Sequence, residues 1–193
     1  MKRILLTGAA GNIGTRLREH LHGKYDLRLT DRAPIGELGE GEAFARADLA
    51  DLNQLIPLMT DIDGIVHLGG IPAEDTFENI LHSNIVGTYN LFEAARQRGV
   101  GRVVFASTNH VVGFYGRESR ITHDVTVRPD SRYGVSKAFG EALGSLYADR
   151  YGAQVMCIRV GAFLDEPFTA RHLAMWVSPR DLSQLVEIGL EHP

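Results

Sequence analysis

Hydrophobic and polar positions along the chain alternate between two patterns. Short runs that are apolar nearly throughout, at 3–7, 25–30, 43–47, 64–68, 102–106 and 154–160, predict strands covered on both faces. Between them, apolar residues recur at helical spacing and predict helices over 12–22, 52–60, 84–98, 131–151 and 179–190. Strands that each lead into a helix imply a parallel sheet with helices on both faces, an α/β doubly wound arrangement. The polar, glycine-rich stretch 36–42 is a surface loop, and 111–130 is a longer connection ending at Arg128-Pro129-Asp130. A connection of that length in a compact domain is often functional, and this one runs directly into Ser131-Arg132-Tyr133.

Composition narrows the picture by exclusion. At 193 residues the chain holds one domain, or one domain and part of another, with room for a sizeable core. A net charge of -4 gives no electrostatic case for a nucleic-acid partner or an anionic membrane surface. No stretch approaches the ~18 apolar residues of a membrane span, and Met1-Lys2-Arg3 leads straight into a strand. The single cysteine, Cys157, excludes an internal disulfide and fits a reducing compartment, so a cytoplasmic location is expected. Its apolar neighbours Met156 and Ile158 make it a strand residue rather than a nucleophile. No cluster of His, Cys, Asp or Glu has metal-ligand spacing, and no metal is expected.

The first strand–helix junction carries candidate chemistry. Gly8, Gly11 and Gly14 form G-x-x-G-x-x-G, with Asn12 and Ile13 opening the helix. Such glycines allow a tight turn and close approach of backbone to a pyrophosphate, which the helix N-terminus attracts. Taken alone, the three glycines are equally compatible with a plain strand–helix turn; with the residues that follow they point to a dinucleotide-binding Rossmann fold. Asp31 ends the second strand twenty residues after Gly11. A carboxylate there accepts both hydroxyls of an adenosine ribose and repels a 2′-phosphate, favouring NAD over NADP. Arg32 beside it is suited to a phosphate or to stacking on adenine, and Asp31 also reads as a turn residue ahead of Pro34. Asp48-Leu49 follows the third strand and either meets the adenine edge or caps the next helix. Leu68, Gly69 and Gly70 follow the fourth strand, where missing side chains let a cofactor lie on the backbone. His67 within that strand reads as a packed core histidine.

Tyr133 and Lys137 lie four residues apart, so a helix places them on one face. Only 3 of the 20 basic residues are lysines, and Lys137 is one of them. A free phenol titrates near 10, so it needs a drop of roughly 3 units, about 4 kcal/mol, to act as a base near neutrality. One cation at ~4 Å and an effective dielectric of about 20 supplies around that much. Taken alone, the spacing is also compatible with a chance pair on a surface helix.

Together, the glycine turn, Asp31, Asp48-Leu49, His67-Leu68-Gly69-Gly70, Asn84-Ile85-Val86-Gly87-Thr88, Ser107-Thr108 and the Tyr133/Lys137 pair resemble the extended short-chain dehydrogenase/reductase family. The resemblance covers essentially the whole chain. It implies a mostly parallel sheet of order 3-2-1-4-5-6-7, its last strand absent here. It also implies residues 1–160 as an NAD-binding domain and 161–193 as the start of a small, incomplete substrate-binding part. Thr108, Tyr133 and Lys137 become the catalytic triad, with Ser107 the competing hydroxyl, and Asn84 joins the cofactor site. Ile65–Ile71 and 105–110, with Gly113-Phe114-Tyr115, Glu166-Pro167 and Arg171, are similar to the uronate dehydrogenase group of that family.

That similarity implies NAD-dependent oxidation of a sugar acid. Asn109 and His110 would face sugar hydroxyls, and Arg171 would grip the carboxylate through its planar guanidinium. Each also has a plain alternative: Asn109 and His110 as caps of the turn, Arg171 as a solvated surface residue. Pro72 and Ala162 depart from the group, which has small hydroxyl residues there, and this leaves the preference among uronates open. A nucleotide-sugar epimerase or dehydratase would share every cofactor residue, and a non-catalytic NAD-sensing protein is the remaining class. An apolar band on the 131–151 helix, with its neighbour at 84–98, predicts a homo-oligomer.

Overall fold

The computed structural model of the protein describes residues 1–116 and 118–192; Arg117, inside the long connection, and Pro193 lie outside the described residues. Six strands form a parallel sheet: β1 (Arg3–Thr7), β2 (Asp26–Asp31), β3 (Glu42–Arg46), β4 (Gly64–His67), β5 (Arg102–Thr108) and β6 (Gln154–Val160), in the order β3-β2-β1-β4-β5-β6. The order reverses between β1 and β4, whose registers run Ile4↔Gly64 to Thr7↔His67. Chain crossovers leave the sheet in opposite directions at that point, which opens a crevice at the carboxyl ends of the strands.

Alternation along each strand divides the core in two. Leu5, Ile65 and Val103 face one side, where they meet α2 (Leu52–Leu55), α4 (Gly87–Arg98) and α5 (Arg132–Tyr151) through Leu55, Phe92, Leu143 and Tyr147. Ile4, Leu6 and Val104 face the other side, covered by α1 (Asn12–Leu21) and α7 (Pro179–Glu191) through Leu17, Leu182 and Val186. Both faces being buried explains why the strands lack polar alternation in sequence. No helix among the described residues is long and apolar enough to cross a membrane.

Several boundaries differ from the pattern-based reading. The helix expected over 52–60 changes to a 3-10 turn at Ile56–Met59, because Pro57 has no N–H to continue α-type bonding. Asp51 rather than Asp48 caps it, accepting from Asn53 N. The helix expected from 84 begins earlier. Thr76 caps α3 (Phe77–Ile80), and one π-helical segment, Leu81–Val86, joins α3 to α4. Strand β5 continues to Thr108, so both candidate hydroxyls sit on the strand itself. The pair β7 (Ala162–Phe163) and β8 (Trp176–Val177), with α6 (Ala170–Met175) between them, was too short to show a period in sequence.

Candidate active site

A cleft of about 540 Å³ runs along the carboxyl ends of the strands. Every residue assigned to the site from sequence lines it except Asn84 and Arg171. At the β1 end the glycines are fixed by crowding. Gly8 has φ +70, and a Cβ there would stand 2.8 Å from Gly69 N. A Cβ on Gly14 would stand 2.2 Å from the Gly8 carbonyl oxygen. The turn therefore packs backbone against backbone across the switch point. No side chain caps α1 at Gly11, so its first-turn N–H groups are left for another acceptor, and Asn12, Ile13 and Gly14 line the cleft.

Asp31 is held in place by the backbone: Oδ2 accepts from Ala10 N at 3.0 Å and Oδ1 from Ala33 N at 3.0 Å. Each carboxylate oxygen retains a lone pair for a ribose hydroxyl. Asp48 accepts from Ala50 N at 2.9 Å in a tight turn at the cleft wall. The donor set fits a dinucleotide. An uncapped helix end would suit the pyrophosphate and an oriented carboxylate the ribose, while bare Gly69-Gly70 lines the cleft between them.

Beneath this wall runs a buried polar row. Gly69 N donates to Thr7 Oγ1 (3.1 Å), which pairs with His67 Nδ1 (2.8 Å), while Nε2 meets Thr88 Oγ1 (3.2 Å). Burial and the nearby Lys137 charge push the His67 imidazole down to about 3, so it is neutral. It is a packed histidine that stitches β4 to β1 and α4.

The other end is built by β5 and α5. Ser131 caps α5, its Oγ accepting from Gly134 N at 3.0 Å, which fixes where the helix starts and hence where Tyr133 and Lys137 point. The choice between hydroxyls is resolved by partners. Ser107 Oγ donates to Glu141 Oε1 at 2.5 Å, and Arg159 clamps Glu141 at 2.9 and 2.8 Å. Thr108 is the hydroxyl left beside Tyr133, where it works against burial to lower the phenol's pKa; its Oγ1 also donates to Asn109 Oδ1 at 3.3 Å and accepts from His110 N at 3.3 Å. Lys137 is 6% exposed; its Nζ donates to the Ala106 carbonyl at 2.7 Å and stands 4.9 Å from the Phe105 ring centre. Burial lowers its pKa to about 8.

One expectation changes here. Burial raises the Tyr133 phenol above its ordinary value, and the opposing influence is the Thr108 hydrogen bond rather than the ammonium. The lysine's Nζ is turned toward Ala106 and Phe105 and lies 5.9 Å from the Tyr133 ring centre.

Asn84 stands behind the wall rather than on it. Its Oδ1 accepts from Ile71 N (2.7 Å), and its Nδ2 donates to Ile71 O (3.0 Å) and Ser136 Oγ (3.0 Å). Those bonds tie the loop after β4 to α5, and the π-helical segment turns the preceding Ser83 into the cleft. At the β5 end of the cleft Asn109 reaches Met175 Sδ at 3.4 Å, which brings α6 against the mouth. Arg171, on the same helix, is exposed and off the cleft walls. Pro72 lines the cleft, whereas Ala162 does not and its neighbour Phe163 does.

Two groups at the site gave no signal of this kind in sequence. Glu74 accepts from Arg132 Nη1 (2.7 Å) and Tyr133 N (3.2 Å), pinning the loop after β4 to the start of α5. Asp130 takes His110 Nδ1 at 2.8 Å. Nothing in their spacing identifies these partners, because each pair is closed by the fold.

Comparison with known proteins gives a consistent result. Residues 4–177 match the model of the NAD dependent epimerase/dehydratase family. Uronate dehydrogenase of Pseudomonas putida is 46% identical over 193 residues, covering 99% of this chain and 72% of that protein. A mutant of uronate dehydrogenase from Agrobacterium tumefaciens, solved in complex with NAD, superposes with a TM-score of 0.97 at 45% identity, covering 100% of this chain and 73% of that one. Glucuronic acid dehydrogenase from Chromohalobacter salexigens gives 0.96 at 43% identity, with coverage of 100% and 73%.

Proposed function

The chain belongs to the NAD dependent epimerase/dehydratase family, and from that premise we propose that it oxidises a hexuronate such as glucuronate or galacturonate at the anomeric carbon, with NAD as oxidant, to an aldarolactone. The observation that carries this reading is the identity of 46% to a uronate dehydrogenase across 99% of the chain. The cleft supplies groups suited to the chemistry. Tyr133 takes the proton of the anomeric hydroxyl while Thr108 holds that oxygen. Lys137 keeps a positive charge beside them below about pH 8. Asp31 and the first turn of α1 hold the cofactor. NAD, when bound, supplies the hydride acceptor for the anomeric C–H.

Arg171 is assigned the substrate carboxylate. Support comes from its place on α6, whose Met175 already borders Asn109; a long arginine on that helix can swing to the mouth. Residues 1–160, with α7 packed against the sheet, form the cofactor-binding part, and the segment of β7, α6 and β8 borders the substrate end. The exposed apolar side chains Tyr89 on α4 and Val135, Leu146 and Tyr151 on α5 support a homo-oligomer. The lone cysteine supports a reducing, cytoplasmic setting.

Mixing the protein with NAD and glucuronate or galacturonate should raise absorbance from NADH, with neutral hexoses far slower; no NADH from any uronate would sink the reading. In the same assay Tyr133→Phe should lower kcat at least about 100-fold. Arg171→Ala should raise the KM for uronates about 10- to 100-fold with little change in the KM for NAD, as loss of a charge-assisted bidentate contact predicts. An unchanged uronate KM would remove Arg171 from the site.

A further inference from the structure

His110 and Asp130 form a side-chain pair at the sugar end of the cleft. His110 is the second residue of the 3-10 turn Asn109–Val112 that follows β5 and lines the cleft, with its ring edge-on to Tyr133 at 5.9 Å between centres. Its Nδ1 lies 2.8 Å from Asp130 Oδ1. The carboxylate is itself fixed from three sides. Ser131 Oγ donates to the same oxygen at 3.1 Å, Asp130 N donates to the His110 carbonyl at 3.2 Å, and Gly113 leaves room for Oδ2, where a Cβ would come within 2.0 Å. The neighbouring Arg128 is turned away, its guanidinium stacked 5.1 Å from the Tyr115 ring centre. Glu74 is occupied by Arg132 and the start of α5.

An ionised carboxylate only accepts, so the ring nitrogen facing it carries the hydrogen. The other nitrogen, Nε2, then presents a bare lone pair. Among the described residues it has no protein partner, in contrast to His67, both of whose nitrogens are taken inside the fold. We propose that Asp130 is a positioning residue that holds His110 as the Nδ1–H tautomer, so that Nε2 accepts a hydroxyl of the sugar ring and helps select the substrate. The proposal deepens the uronate reading and rests on it. It gives the cleft an acceptor beside the Thr108 and Tyr133 hydroxyls, and a substrate hydroxyl satisfies it where an ether or a carboxylate oxygen at that position does not. The logic is that of any carboxylate-oriented imidazole: the carboxylate acts through the ring, not on the substrate.

Two measurements test it. Long-range proton–nitrogen spectra of ¹⁵N-histidine-labelled protein at pH 8, with His110 identified by the resonance missing from His110→Gln, should show the Nδ1–H form. An Nε2–H form overturns the proposal whatever the enzyme turns over. In steady-state kinetics, Asp130→Asn lets an amide N–H face the ring and favours the opposite tautomer. It should raise the KM for the uronate about tenfold, the loss of one hydrogen bond's worth of affinity, with the KM for NAD unchanged. In a His110→Ala background the same substitution should change nothing further, because its effect runs through the ring. Equal effects in both backgrounds would make Asp130 a purely structural residue and end the proposal. If wild-type protein turns over no uronate, the functional reading fails, and the spectra still decide the tautomer.

Discussion

Lys137 shows what a single residue costs and contributes in this fold. Its amine is buried under α5, against the Ala106 carbonyl and the Phe105 ring, and burial depresses its pKa to about 8 from an ordinary value of 10.5. Below about pH 8 the group is charged in both folded and unfolded chains, and the full burial penalty is present. Between about 8 and 10.5 the unfolded chain binds the extra proton, so stability rises with pH across that window. Lys137→Met removes the effect. Compared with the variant, the wild-type protein should gain on the order of 3 kcal/mol in unfolding free energy between pH 8 and 10.5. Denaturant titrations at several pH values check this, and parallel curves for the two proteins would refute it. The spacing of Tyr133 and Lys137 was legible in sequence, since four residues make one helical turn. The ammonium's actual partners were not, because a carbonyl and a ring from β5 reach it only across the sheet.

At the scale of elements, α5 lies unusually close to the sheet. A Cβ on Gly140 would stand 2.3 Å from Phe105 Cζ, and one on Gly144 would stand 2.9 Å from Val155 Cγ1. The two glycines follow Lys137 at the spacing of successive turns, and the close packing they allow sets the depth of its amine. Gly140→Ala should push the Phe105 ring, and with it the surface beneath Lys137. The expected loss is roughly 1–3 kcal/mol of stability, the usual range for overpacking, and kcat should fall more than the KM for NAD rises. Thermal unfolding together with kinetics tests this; a variant as stable and active as the parent would show that Phe105 yields freely. Glycines one turn apart on a helix are compatible with close packing, but their spacing does not say against which strand. The opposite case is the turn at Asn109–Val112 and the α6 region, where short elements carry too few residues for any period to register.

For the whole molecule, the helices flanking the sheet present unequal faces. Leu143 and Tyr147 of α5 sit in the core, while Leu146 is 48% and Val135 51% exposed on the same helix, and Tyr89 of the adjoining α4 is 48% exposed. A homo-oligomer would cover this patch. Leu146→Lys should then shift the mass in light scattering toward a smaller species without lowering the melting temperature; an unchanged mass would place any interface elsewhere.

The sequence by itself determined the periods, the turn glycines and the acidic residue at the end of β2. These are local properties, set by backbone geometry within a few residues. They were enough for a parallel sheet and for NAD as the favoured cofactor, whereas the strand order came from the resemblance to a known family. Only the tertiary structure decided that Ser107, the competing hydroxyl, is taken by Glu141, that Asn84 braces the wall, and that Asp130 and Glu74 stand beside His110 and Tyr133. Ser107 is diverted to Glu141 thirty-four residues away, and Asn84 to Ser136 fifty-two residues away. Partnership over such distances depends on which strands and helices pack side by side, and no local spacing along the chain encodes it.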